Sequence, residues 1–200
     1  QLSSERKAQA LQLEKAIETE LKDLNFAEVQ FQIHFDKLAD YTADGVDDVE
    51  FLISMNPGQP VKPLAEVASG GELSRTMLAI KTVMADRDEI ETLIFDEIDV
   101  GISGRTAQKV SEKMAVIGKN HQVICITHLA QIAAQADQHY LIEKTVDGGV
   151  TRTEIRKLSE EESIDELARI LGGAEITETV RMSAREMKSM VKSNTVKNKK

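Results

Sequence analysis

Three short stretches of this chain carry side chains able to do chemistry. Asp96 and Glu97 follow the apolar run Thr92-Leu93-Ile94-Phe95, so two carboxylates stand where a buried strand ends. One carboxylate at such a place can hold a hard divalent cation, and its neighbour, pointing the other way, can polarise water. Ser69-Gly70-Gly71-Glu72 opens a segment with helical spacing. A hydroxyl and bare backbone N–H groups at the positive end of a helix dipole form an anion site. His128 closes a second apolar run, Val123-Ile124-Cys125-Ile126, one residue after Thr127. Each stretch also has a plainer reading: solvated strand ends, a serine N-cap, a structural histidine. Capping alone does not account for two successive glycines, because glycine is a poor helix former.

The spacing around these residues predicts the elements that position them. Leu73, Met77, Ile80 and Met84 recur on one face of a helix running from Ser69 to about Asp86. Ala107, Val110, Met114 and Ile117 do the same for a helix from about Ser103 to Ile117. The apolar runs at 92–95 and 123–126 are too short for helices and flank one. Strand, helix and strand then predict a parallel sheet covered on both faces, with Asp96, Glu97 and His128 emerging at its carboxyl edge.

Elsewhere, residues 28–35 alternate polar and apolar, as do Val49, Phe51, Ile53 and Met55, which predicts two half-buried strands with a turn at Asp44-Gly45 and an end at Asn56-Pro57-Gly58. His34 falls on the polar face. Residues 139–146 and 150–157 flank Asp147-Gly148-Gly149 and predict a hairpin. Ser159 with Glu162 predicts a capping box on a helix carrying Ile164, Leu167 and Ile170, ended by Gly172-Gly173. A last helix, about 177–191, carries Val180, Met187 and Met190. At the other end, Leu13, Ile17, Leu21 and Leu24 form one helical stripe. It is either a helix packed on its own domain or the stump of a coiled coil.

With 200 residues, 41% hydrophobic and 30% charged, the chain can build one main α/β domain with appendages. The net charge of −9, from 25 basic and 34 acidic residues, argues against wrapping nucleic acid over most of the surface. Basic residues gather at the C-terminus (Lys188, Lys192, Lys197, Lys199, Lys200), a tail expected to be disordered over 194–200. The single cysteine, Cys125, leaves no disulfide within the chain, and no apolar run approaches a bilayer span. A cytoplasmic setting and no membrane partner are expected. No Gly-x-x-x-x-Gly-Lys-Ser/Thr phosphate loop occurs.

In combination these motifs resemble the ABC-type ATPases. Ser69 to Arg75 resembles their signature motif, Leu93 to Glu97 the Walker B strand, Ile98-Asp99-Val100-Gly101 the D-loop, and His128 the switch histidine. The text at 64–75, 95–104 and 127–134 is similar to the RecN family, SMC-like bacterial DNA repair proteins. The resemblance implies the C-terminal lobe of an ABC-type ATPase head. That lobe is α/β, a mostly parallel P-loop-NTPase-like sheet with flanking helices, occupying 26–193 behind the end of a coiled-coil arm at 1–25. It implies ATP and Mg²⁺ as cofactors, with Asp96 on Mg²⁺, Glu97 on the attacking water and His128 on the γ-phosphate. Ser69, Gly70, Gly71 and Glu72 would serve ATP bound to an opposite head, with Asp99 coupling the two. Implied partners are an N-terminal lobe of the same polypeptide carrying Walker A, a second copy in an ATP-sandwiched dimer, and DNA. Another SMC-type or ABC-type head, serving chromosome organisation or transport, and a non-catalytic interaction module on the same fold are the alternatives.

Overall fold

The computed structural model describes residues 1–56, 58–66, 69–85, 89–147, 150–173 and 175–197. The expected turn residue Pro57, the hairpin glycines Gly148 and Gly149, and the tail lysines Lys199 and Lys200 lie outside them. The chain divides into two compact units, Gln1–Ile126 and Thr127–Lys200.

The first unit opens with α1 (Leu2–Asp23), whose Ile17 and Leu21 are fully buried, as is Leu24 just beyond. The helix stops in a Schellman geometry: Phe26 N–H donates to Leu21 O and Asn25 N–H to Lys22 O, with Asn25 left-handed at φ 74°. β1 (Gln30–Thr42) and β2 (Gly45–Ser54) pair antiparallel with Phe31 opposite Ile53, and β3 (Lys62–Pro63) adds to β2. α1 lies along this hairpin. Ser3 and Arg6 donate to Asp47 of β2 at 2.6 and 3.1 Å, and these bonds hold the Asp47 carboxyl below its ordinary pKa. Two N–H groups of β1, those of Phe31 and Ile33, donate to the carboxylates of Glu18 and Glu14 at 3.0 and 2.7 Å. The helix thereby satisfies an otherwise open strand edge.

α2 (Gly70–Met84), β4 (Thr92–Phe95), α3 (Gly104–Ile117) and β5 (Gln122–Cys125) complete the unit. β4 and β5 pair in parallel, Phe95 opposite Cys125, as the strand-helix-strand pattern predicts. The face of α3 is also as expected, with Ala107, Val110, Met114 and Ile117 buried. Lys113 of the same helix ion-pairs with Glu20 and, at 3.1 Å, Asp23 of α1. Burial acts to lower its pKa, but these carboxylates outweigh it and the value is raised.

Two expectations are corrected. The buried face of α2 is Gly71, Arg75, Leu78 and Ala79; of the predicted stripe only Ile80 is buried, whereas Leu73 and Met84 are exposed. The parallel pair is covered on one face only: Leu93 and Phe95 point inward, while Ile94 is 67% exposed and Ile124 and Ile126 are open too. Leu73, Met77 and Lys81 of α2 and Leu93, Ile94 and Phe95 of β4 line an open groove of about 280 Å³.

The second unit holds α4 (Ala130–Ala133), the antiparallel hairpin β6 (Tyr140–Asp147) and β7 (Val150–Lys157), α5 (Glu160–Gly172) and α6 (Glu178–Lys197). Small residues make its core: Ala130, Ala133, Ala134, Ala168 and Ala184 surround Ile164 and Leu167. Gly172 allows the close approach of Val180, whose Cγ1 would lie 3.1 Å from a Cβ there. The capping box forms as predicted. Ser159 Oγ accepts from Glu162 N–H and the Glu162 carboxylate accepts from Ser159 N–H; these bonds, with Arg156, pull the Glu162 pKa down to about 2. α6 continues to Lys197, beyond the expected end near 191. Ser163, 1% exposed, sits between His139 Nδ1 at 2.9 Å and Lys188 Nζ at 2.5 Å. Among the described residues no helix is long and apolar enough to cross a membrane.

Candidate nucleotide site

β4 and β5 end in register, and Ile126 N–H donates to Phe95 O at 3.0 Å, so Asp96 leaves the sheet at its carboxyl edge, where open α/β sheets bind ligands. The side chain of Asp96 is exposed, and its Oδ1 accepts the N–H of Glu97 at 2.9 Å. Its carbonyl accepts the hydroxyl of Ser74, one turn into α2, at 2.8 Å. The start of α2 is thereby tied to the end of β4.

Glu97 is left-handed, φ 57°, a conformation costing a non-glycine residue roughly 1 kcal/mol. It turns the carboxylate over the first turn of α2. A Cβ on Gly70 would fall on Glu97 Oε2. One on Gly71 would lie 2.9 Å from Glu97 O and 3.1 Å from both the Cβ and the carbonyl of Val100. The two glycines that capping could not explain therefore have a packing cause: the 97–100 turn lies directly on them. Their constraints differ, because a carboxylate tip can swing away and a backbone carbonyl cannot.

Ser69 is the N-cap of α2; its Oγ accepts from Glu72 N–H at 3.5 Å, a long bond. Asp99, 3% exposed, lies in a turn closed by Val100 N–H to Glu97 O at 3.1 Å and Ile102 N–H to Asp99 O at 3.4 Å. Arg75 reaches this turn from α2. Its Nη1 donates to Ile98 O at 3.2 Å and Val100 O at 2.8 Å, and its guanidinium stacks 5.3 Å from the Phe26 ring centroid. Cys125, at the end of β5, has its thiol pushed up to about 12 by burial first and then by the Asp99 and Asp96 carboxylates.

The first unit thus brings Ser69, Gly70, Gly71, Glu72, Asp96, Glu97 and Asp99 onto one edge. His128 is the second residue of the second unit, exposed, beside Thr127, whose Oγ1 accepts from Leu129 N–H at 3.0 Å. Sequence reasoning assigned no work to Ser74 or Arg75. The available signal was their position: Gly71, Arg75 and Leu78 recur at helical spacing, so a charge sits on the face of a helix that glycine shares.

The donor set fits one side of a Mg²⁺-nucleotide. Among the described residues no three His, Cys, Asp or Glu side chains form a cage. An exposed carboxylate at a strand end suits a cation that takes its remaining oxygens from phosphates and water. The phosphate side needs a lysine-bearing loop, which these 200 residues do not contain.

No family model matches the chain. Among curated proteins it is 45% identical over 190 residues to the DNA repair protein RecN of Halalkalibacterium halodurans, covering 93% of this chain and 34% of that protein. It is 40% identical over 201 residues to the DNA repair protein RecN of Bacillus subtilis, with 93% and 35% covered. Among solved structures it is similar to an Smc head domain with a coiled coil and joint from Pyrococcus yayanosii, with TM-score 0.55, 24% identity, and 81% of this chain and 29% of that one covered. An Smc head domain with an extended coiled coil, bound to the C-terminal domain of ScpA, from Pyrococcus furiosus gives TM-score 0.52 at 23% identity, with 83% and 39% covered. These likenesses establish an α/β head-domain fold. The chain spans about a third of the length of the curated relatives it matches, and over that third it is similar, at 40–45% identity, to the RecN proteins.

Proposed function

We propose that this chain is the C-terminal lobe of the ATPase head of a RecN-type protein acting in recombinational repair of DNA double-strand breaks. The observation that carries the proposal is the packing of the Asp96-Glu97-Asp99 turn on the glycine start of α2, which gathers hard-oxygen ligands and a helix N-terminus on one sheet edge. Phosphoryl transfer asks for such positioning and charge stabilisation more than for covalent chemistry.

In this proposal Asp96 holds Mg²⁺ through its exposed carboxylate, and Glu97 orients the attacking water and accepts its proton. His128 contacts the γ-phosphate. Bound Mg²⁺-ATP supplies the electrophilic phosphorus and neutralises charge on its oxygens. Ser69, Gly70, Gly71 and Glu72 offer a hydroxyl, backbone N–H groups and a helix dipole to ATP held by a second head, and Asp99 couples the two sites. The Walker A lysine comes from an N-terminal lobe of the same polypeptide. Residues 1–25 end a coiled-coil arm, 26–193 form the lobe, and 194–200 are a basic tail. DNA is the further partner, and the protein is cytoplasmic and nucleoid-associated. The similarity to RecN proteins supports these assignments.

The test is Glu97→Gln in the complete protein. ATP-stabilised dimers with hydrolysis abolished are expected, and unchanged turnover would remove Glu97 as the base. Calorimetric titration of Mg²⁺-ATP against the 200-residue chain is expected to give no micromolar binding; such binding would overturn the division of the site between two lobes.

A further inference from the structure

Arg75 is 6% exposed, and burying a guanidinium is costly unless its donors are met. Burial lowers its pKa, with Glu72 acting the other way, yet an arginine keeps its charge in any protein setting. Its hydrogen bonds go to backbone dipoles: the carbonyls of Ile98 and Val100 accept from Nη1, and the face of Phe26 covers the planar group. Nε, by contrast, is buried with no hydrogen-bond partner among the described residues. Core packing alone would be served better by an apolar side chain of similar length. What an arginine adds is a planar, permanently charged group whose Nη1 donates to two carbonyls of one turn while its face lies on Phe26.

Those two carbonyls flank Asp99. One of them belongs to Val100, whose backbone also limits Gly71. We infer that Arg75 is a positioning residue for the ATPase cycle: it clamps the 98–100 turn to α2 and so sets where Asp99 and the Glu97 carboxylate stand relative to the glycine start of the helix. The role rests on the ATPase reading proposed above. Arg75 touches no nucleotide in it. Its stacking partner Phe26 lies just beyond α1, so the clamp is braced against the end of the N-terminal helix.

The test compares the complete protein with its Arg75→Met and Arg75→Lys variants in steady-state ATP turnover, and follows amide exchange at Val100 and Ile102. Methionine keeps an unbranched apolar stem and removes every donor, whereas lysine keeps a charge and donors but not the planar group stacked on Phe26. Arg75→Met is expected to lower kcat about tenfold to a hundredfold with KM for ATP within about threefold, the pattern of a misplaced catalytic group with nucleotide contacts intact. Arg75→Lys should recover part of the loss, and exchange at Val100 and Ile102 should quicken in Arg75→Met. Turnover by folded Arg75→Met within about twofold of the parent, or exchange unchanged at both amides, would overturn the inference. If Arg75→Met fails to fold, Arg75→Lys decides by the same two readouts. A parent protein that turns over no ATP would fail the ATPase reading itself; exchange at the turn then still decides whether Arg75 holds it.

Discussion

At the scale of single residues, the edge of the β4–β5 pair makes ordinary side chains behave unusually through proximity. Cys125 shows it most directly. Burial and the carboxylates of Asp99 and Asp96 raise its pKa to about 12, so at pH 8 almost none is thiolate. Its reaction with an aromatic disulfide reagent at pH 8 should run roughly a hundredfold or more slower than that of free cysteine, measured by the absorbance of the released thiolate. A rate equal to that of free cysteine would show that the thiol is neither buried nor faced by the two carboxylates. The carboxylates themselves were legible as chemistry because they interrupt an apolar run at its end. The cause of the Gly70-Gly71 pair was not, because it lies 26 to 30 positions downstream in the 97–100 turn and is a matter of contact, not of pattern.

At the scale of elements, helices are held by polar contacts that spacing rules do not count. Apolar periodicity found the face of α3, whose Ala107, Val110, Met114 and Ile117 are buried, although the helix also buries Ser111 and Lys113. The same rule mistook the face of α2, whose buried side carries Gly71, Arg75 and Thr76, while Leu73 and Met84 stand in the open. In the second unit the junction of α5 and α6 depends on Ser163. Lys188 donates to Ser163 Oγ, and the serine hydroxyl can donate to His139 Nδ1 when that nitrogen is unprotonated. Burial and then the Lys188 charge lower the His139 pKa below 6.5, with Glu166 of α5 opposing them. The folded state therefore prefers neutral histidine. Its contribution is intact above the unfolded value near 6.5 and is lost as pH falls through 6.5 toward the lower folded value, because the unfolded chain then binds the proton more readily. Thermal unfolding from pH 7 to pH 5 should show declining stability, and His139→Gln should flatten that slope. A slope unaffected by His139→Gln would assign it to other groups.

At the scale of the whole molecule, parallel pairing was legible from two short apolar runs, but coverage of the pair was not. Sequence alternation says which side chains avoid water, not whether this chain supplies what covers them. Ile94, Ile124 and Ile126 remain open on one sheet face, beside the groove formed with α2. The 200-residue chain alone should associate with itself through this face in sedimentation velocity, and Ile94→Lys should shift it toward monomer. A parent chain that sediments as monomer at every loading would refute this. The open face also changes what a melting temperature of the chain means. If copies cover each other's isoleucines, unfolding is linked to dissociation, and mass action makes the midpoint rise with protein concentration. Any ranking of variants by heat would then depend on how much protein was in the cell, and a substitution on the bare face could look destabilising without weakening a single contact inside one molecule.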